Sequence, residues 1–385
     1  MNNIAINLWL AMGMLASVNL MAQPALQEVF KNDFLVGAAL NPAQFYESNA
    51  VQAALVKRHF GSITPENVLK WERVHPLPGE YDFAAADRFV AFGEQHGMFI
   101  VGHTLVWHSQ TPDWVFQDDQ GKPLRREALL ARMRDHIQTV VGRYKGRVNG
   151  WDVVNEALND DGSLRDSPWK RIIGEDYIEK AFEFAAQADP AAELYYNDYS
   201  LENVAKRSGA VKLARKLQAA GVKITGIGTQ QHIKMDWPSM QQVDETFTAF
   251  GNLGLKVMVT ELDVDVLPSP SNDRSAEVSR RESAHAALDP YHTGLPAAIQ
   301  QALARRYADL FAVYRQHRGT LTRVTFWGVT DGDSWLNDWP IAGRTAHPLL
   351  FDRQCKPKPA FDEVIKTAPA SPANPAETKR ATRLL

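Results

Sequence analysis

Phe99-Ile-Val-Gly-His-Thr-Leu-Val106 is a short apolar run with little polar alternation. It is followed by Arg126-Glu-Ala-Leu-Leu-Ala-Arg-Met-Arg-Asp-His-Ile-Gln-Thr-Val-Val-Gly-Arg-Tyr144, with Leu129, Leu130, Met133, Ile137, Val140 and Val141 at helical spacing. Then comes Val148-Asn-Gly-Trp-Asp-Val-Val-Asn155, a second apolar run. Continuous apolar runs suit strands buried on both faces, and a helix between two of them makes a β-α-β unit with parallel strands.

Outward from this unit the same alternation recurs. Further strands are predicted at Phe34–Leu40, Gly61–Pro65, Glu193–Asn197, Ile224–Gln230, Lys256–Glu261 and Arg323–Val329. Helices are predicted at Ala84–His96, Tyr177–Ala188, Lys206–Ala220, Met240–Phe250 and Leu295–His317, several closed by a glycine (Gly97, Gly221, Gly254). Eight such strands in one chain imply an α/β protein, a single (β/α)8 barrel over residues 23–368. A doubly wound open sheet would carry a glycine fingerprint after its first strand, where this chain reads Gly37-Ala-Ala-Leu-Asn-Pro. A polar excursion between residues 267 and 295 is expected to lie over the barrel mouth.

Composition narrows the function. The 385 residues carry 42 basic and 45 acidic side chains, a net charge of −3, and 45% of them are hydrophobic. A large core is affordable, and the basic footprint of a nucleic-acid binder is absent. The single cysteine, Cys355, allows neither an intrachain disulfide nor a cysteine-based zinc site. Ten tryptophans suit stacking on sugars as well as packing. From Ile4 to Met21 no residue is charged, so residues 1–22 are expected to be a signal peptide and the protein secreted or periplasmic; a retained anchor is the alternative. No later segment is apolar enough to span a bilayer. Residues 369–385 are expected to be a disordered tail.

In such barrels the chemistry gathers where strands end. Glu156 follows strand four and Glu261 ends strand seven, three steps apart around the ring, so they face each other across the mouth. Opposed carboxylates about 5–5.5 Å apart are the machinery of retaining glycoside hydrolysis. A lone glutamate there would more often be a surface ion pair, but two on otherwise apolar strands argue for catalysis, because burying idle charge is costly. Asp263 leaves the same face of its strand as Glu261. A neutral His232 donating to Glu261 would keep that carboxylate ionised.

The segments TPENVLKWE, HTLVWHSQTPDW, WDVVNEAL, LYYNDY, TQQHI, VTELDV and VTFWGVTDGDSWL, each at a predicted strand end, together resemble glycoside hydrolase family 10, the endo-β-1,4-xylanases. The resemblance runs from about residue 34 to residue 365. It implies Glu156 as acid/base, Glu261 as nucleophile, His232 as the hydrogen-bond partner of that nucleophile with Asp263 behind it, and Asn155 as a holder of the sugar 2-hydroxyl. It implies glycone-side contacts from Glu66, Asn67, Lys70, His103, Trp107, Gln110 and Gln230, and aromatic walls from Trp327 and Trp335. Tyr195 and Asn197 would line the aglycone side. The 268–294 loop departs from the family pattern, and Tyr291 on it is a further candidate aglycone contact. The implied partners are xylan and xylo-oligosaccharides, with no metal, cofactor or nucleic acid, no membrane after signal removal, and a monomeric state.

Rival readings fare worse. An endo-glucanase barrel shares the two glutamates but not the pattern of Asn67, Lys70 and the Trp-His-Ser-Gln run. A metal-dependent barrel hydrolase needs a His-x-His pair, and none occurs. A non-catalytic sugar-binding barrel would lack one glutamate. No Gly-x-Ser-x-Gly elbow is present for a serine esterase. Trp71, Trp151 and Trp169 read as core, and His59, His75, His96, His136 and His317 as packing or surface residues.

Overall fold

A computed structural model describes residues 24–269 and 278–368. The expected signal peptide (1–22), the C-terminal tail (369–385) and part of the mouth excursion (270–277) lie outside the described residues.

Eight parallel strands close into a barrel: β1 (Leu35–Leu40), β2 (Ser62–Pro65), β3 (Phe99–Trp107), β4 (Gly150–Asn155), β5 (Glu193–Asp198), β6 (Gly226–Thr229), β8 (Lys256–Asp265) and β9 (Leu321–Phe326). Closure is explicit in the register. β1 pairs with β2 (Gly37 opposite Ser62) and with β9 (Leu35 opposite Arg323), while β6 pairs with β8 (Gly226 opposite Lys256). A closed parallel sheet leaves no edge strand. A ninth strand, β7 (His232–Lys234), rides on the upper end of β8, with His232 opposite Asp263.

The predicted crossover helices form at Ala84–Gln95, Arg126–Arg143, Tyr177–Ala188, Val204–Ala219, Met240–Gly251 and Ala297–Gln316. The first and last, Ala50–His59 and Pro359–Lys366, are not among the predicted helices; the last buries Ala360, Phe361 and Val364 on one face but spans only 8 residues. Gln52 and His59 occupy part of the buried face of Ala50–His59, so apolar spacing does not mark it. All three tryptophans read as core are buried: Trp71, Trp151 and Trp169. Trp151 crosses so close over Gly102 that a Cβ there would sit 2.1 Å from the indole. Only glycine fits beneath it.

Near the mouth the ladders become irregular. Register shifts fall between His103 and Val106 on β3, between Asp152 and Val154 on β4, and between Val259 and Leu262 on β8. Such irregularities re-aim side chains at barrel rims. Among the described residues no helix is long and apolar enough to cross a membrane.

Candidate active site

A cleft of about 550 Å³ opens at the C-terminal ends of the strands. Its floor holds Glu156, Glu261, Asn155, Gln230 and His232. One side is Glu66, Asn67, Lys70, His103, Trp107 and Gln110, and Trp327, Trp335 and Val278 complete the lining. All the expected site residues except Asp263, Tyr195, Asn197 and Tyr291 therefore meet in one cavity.

Glu156 adopts a left-handed backbone, φ 57°, directly after β4, and its N–H donates to the Asn197 carbonyl at 2.9 Å. Residues other than glycine and asparagine rarely hold this conformation, and such outliers gather at functional sites. Trp107 Nε1 donates to Glu156 Oε2 at 2.7 Å, and Gln230 Nε2 donates to Oε1 at 2.9 Å. Burial raises the pKa of Glu156; charge on Asp198 and Glu261 adds to this against the opposing effects of His108 and the Gln230 hydrogen bond.

Glu261 sits within β8 where the ladder with β9 is interrupted. Asn197 Nδ2 donates to its Oε1 at 2.7 Å, and His232 Nε2 lies 3.2 Å from its Oε2. Burial alone would raise this carboxyl too. The His232 hydrogen bond, the electrostatic effects of His103 and His232, and the Asn197 hydrogen bond together outweigh burial and leave the pKa below its ordinary value. Two carboxyls in one cleft are thus driven apart, one toward the acid and one toward the carboxylate.

His232 itself differs from expectation. Burial lowers its pKa, but the Asp263 carboxylate, 2.9 Å from Nδ1, and Glu261 together outweigh burial and push it up to about 10. The ring is an imidazolium donating from both nitrogens, not the neutral donor anticipated: Asp263, expected behind it, lies close enough to hold a proton on Nδ1 while Glu261 holds one on Nε2. Trp335 Nε1 also donates to Asp263 Oδ2, at 2.7 Å. Asp263 stands behind His232 and does not line the cleft.

Across the cleft, Lys70 Nζ donates to Asn67 Oδ1 at 2.9 Å and to Gln110 Oε1 at 2.8 Å, and lies 5.1 Å from the centre of the Trp107 ring. His103 Nδ1 is 2.9 Å from Asp152 Oδ2.

The two residues expected on the aglycone side lie elsewhere. Tyr195 is 1% exposed, and its hydroxyl donates to Glu193 at the start of β5. A Cβ on Gly150 would lie 2.5 Å from that hydroxyl. The side chain packs at the lower end of the barrel, where the absence of a side chain on Gly150 makes room. Asn197, two residues later, is at the upper end but beneath the floor. It is 0% exposed and also donates to Asn155 Oδ1 at 2.9 Å, while Thr260 Oγ1 donates to its Oδ1 at 2.6 Å. Period-2 alternation puts both on one face, but a strand advances about 6.6 Å over two residues, enough to separate mouth from base. Tyr291 is also outside the cleft lining; it packs against Leu267, Leu336, Trp339 and Ala346.

Sequence reasoning missed the direct bonds from Trp107 to Glu156 and from Asn197 to Glu261. Both link strands adjacent or nearly adjacent in the ring, which strand order alone could have suggested. Among the described residues no cluster of three or more histidine, cysteine or acidic side chains could hold a metal ion.

Comparison with known proteins agrees with this architecture. The Glycosyl hydrolase family 10 profile matches residues 25–367. The chain is 46% identical over 344 residues to endo-1,4-beta-xylanase A of Xylanibacter ruminicola, covering 89% of this chain and 93% of that protein. It is 43% identical over 345 residues to a beta-1,4-xylanase of Dictyoglomus thermophilum, covering 89% and 91%. Among solved structures, a GH10 endoxylanase retrieved from a sugarcane soil metagenome superposes with a TM-score of 0.86 at 48% identity, covering 89% of this chain and 99% of that one. Matched by the family profile over almost the whole described chain, and by relatives along nearly their full lengths, the chain belongs to glycosyl hydrolase family 10.

Proposed function

We propose that the protein is an endo-1,4-β-xylanase that cleaves internal xylosidic bonds with retention of configuration. The observation that carries this reading is the division of labour between the two buried glutamates, with Glu156 raised and Glu261 lowered. Protonated Glu156 gives its proton to the glycosidic oxygen as a Glu261 oxygen attacks the anomeric carbon. The carbon–oxygen bond breaks, the shortened chain leaves as an alcohol, and a glycosyl ester forms on Glu261. Glu156, now a carboxylate, takes a proton from water as that water attacks the same carbon and releases Glu261. Asn155, on the floor between them, is suited to the sugar 2-hydroxyl, and Lys70 with Asn67 and Gln110 to a glycone-side sugar. The relatives above are xylanases by name, which supports the choice of polymer.

NMR of the first product decides the stereochemistry: β-anomer is expected, and initial α-anomer would overturn the double displacement. Hydrolysis of xylan but not carboxymethylcellulose is expected; the reverse would make this an endo-glucanase. The uncharged stretch Ile4–Met21 supports export, which N-terminal sequencing of protein recovered outside the cytoplasm tests.

A further inference from the structure

Glu202 lies between β5 and the helix Val204–Ala219, is 0% exposed and does not line the cleft. Its Oε1 accepts from Thr229 Oγ1 at 2.7 Å and from Gln231 Nε2 at 3.0 Å. Gln231 Oε1 in turn accepts from the Tyr314 hydroxyl, on the helix Ala297–Gln316. Gln231 and Tyr314 are also 0% exposed.

What these bonds hold is the two-residue join between β6 and β7, Gln230-Gln231. Gln231 has φ 60°, a left-handed conformation that persists in a glutamine only where its surroundings impose it. The residues on either side of it each bond one of the two glutamates, beside Trp107 on Glu156 and Asn197 on Glu261. Gln230 donates to Glu156 and His232 to Glu261. The backbone of the join is tied in as well, because Glu261 N donates to the Gln230 carbonyl at 2.9 Å.

We propose that Glu202 is a positioning residue: by gripping Thr229 and Gln231 it locks the β6–β7 join, and so fixes at once where Gln230 meets Glu156 and where His232 meets Glu261. The inference rests on the reading of those two glutamates given above.

The charged and titratable neighbours are few. Arg207 Nη1 donates to the Glu202 carbonyl at 3.3 Å while its Nη2 pairs with Glu245 at 2.8 Å; Tyr314 faces the join, and Arg306 lies near Tyr314. Glu202 Oε2 is buried with no hydrogen-bond partner among the described residues, and burial raises the carboxyl's pKa. Glutamine keeps the accepting oxygen and closely resembles the carboxyl in shape.

Glu202→Leu removes both acceptor bonds. If the join loosens, Glu261 loses part of the His232 bond and Glu156 part of the Gln230 bond, and each of those bonds lowers its carboxyl's pKa. Activity needs Glu261 ionised and Glu156 protonated. Both limbs of the kcat/KM profile should therefore move to higher pH, by about half a unit. On an aryl xylobioside kcat should fall about 10- to 100-fold, the scale of a small misplacement of reacting groups, with KM within about twofold. Glu202→Gln should recover most of the loss. Tyr314→Phe should shift the limbs in the same direction by less, and decides the matter if Glu202→Leu does not fold. Unmoved limbs in correctly folded Glu202→Leu, or in Tyr314→Phe where that protein alone folds, would overturn the proposal and leave these residues as fold supports. That failure is distinct from failure of the underlying reading, which would appear in the wild-type protein as no xylan hydrolysis or as inversion.

Discussion

Nε2 of His232 lies 3.2 Å from Oε2 of Glu261, while Nδ1 of the same ring lies 2.9 Å from Oδ2 of Asp263. One imidazolium therefore neutralises part of two carboxylates and leaves Glu261 in the ionised form. Its pKa, pushed up to about 10, keeps it charged well above neutrality. Replacing it by a neutral donor takes that charge away from Glu261, whose pKa must rise. A hydrogen bond to a charged group contributes about 1.5–3 kcal/mol, roughly one to two pH units. Glutamine can still donate, so only the charge-dependent part is lost, and the acid limb of kcat/KM in His232→Gln should rise by roughly one unit. An acid limb unchanged from wild type would show that His232 does not set the ionisation of Glu261.

The environments of the two glutamates lead to a different pair of outcomes. Glu156→Ala should stop xylan hydrolysis, since the departing sugar oxygen needs a proton. It should still form glycosyl-enzyme from an aryl xylobioside with an acidic phenol, which leaves unaided. Azide should then accelerate turnover and yield a β-glycosyl azide, because the small anion enters the space of the deleted carboxyl and needs no general base. Glu261→Ala should give no comparable turnover on either substrate. Identical behaviour of the two variants on the activated substrate would reverse or remove the assigned roles.

Much of this was legible in the chain because barrels couple sequence order to position. Strand ends fall on one rim, so Glu156 and Glu261 could be opposed by counting strands alone. What escaped depended on depth and on charge. Tyr195 and Asn197 share a face, and only the space over Gly150 draws the tyrosine to the base of the barrel. His232 was read as neutral even with Asp263 placed behind it; its charge follows from how closely both carboxylates approach the buried ring, a distance the sequence does not carry. β7 is three residues long, and the left-handed Gln231 before it has no pattern in the sequence.

Stability should fall in acid through histidines buried in neutral form. His59 packs beside Phe351 and Phe361, with ring centroids 5.1 and 5.4 Å away, and its Nδ1 accepts from Leu26 N at 3.4 Å. Burial lowers its pKa to about 4, from an ordinary 6.5. Between those values the unfolded chain binds a proton that the native protein refuses. The contribution is thus fully present above pH 6.5 and is lost as pH falls toward 4. One such group accounts for roughly 3 kcal/mol at most, several degrees in Tm. His75, also lowered to about 4 by burial, acts in the same direction. In His59→Leu the drop in Tm between pH 7 and pH 4.5 should be smaller than in wild type. Equal drops would remove His59 from the acid response.

Lys70 allows a test of how distant sugar contacts feed the chemistry. Its ammonium donates to Asn67 and Gln110, so one proton remains for a sugar hydroxyl, and it lies 5.1 Å from the centre of the Trp107 ring. Trp107 is also the donor to Glu156, which places the lysine one residue away from the reacting centre. Contacts to a sugar that does not react can hold the reacting one in its distorted geometry. Loss of a charged hydrogen bond at about 1.5–3 kcal/mol corresponds to roughly 10- to 150-fold in rate. Lys70→Met keeps most of the stem and removes the charge, so kcat/KM on an aryl xylobioside should fall by about that factor. An aryl xyloside leaves the distal subsite empty, and on it the same variant should lose little. The contrast between the substrates carries the argument: equal losses on both would mean that Lys70 supports Trp107 and the glutamates directly, and the glycone subsite would then have to be sought elsewhere in the cleft.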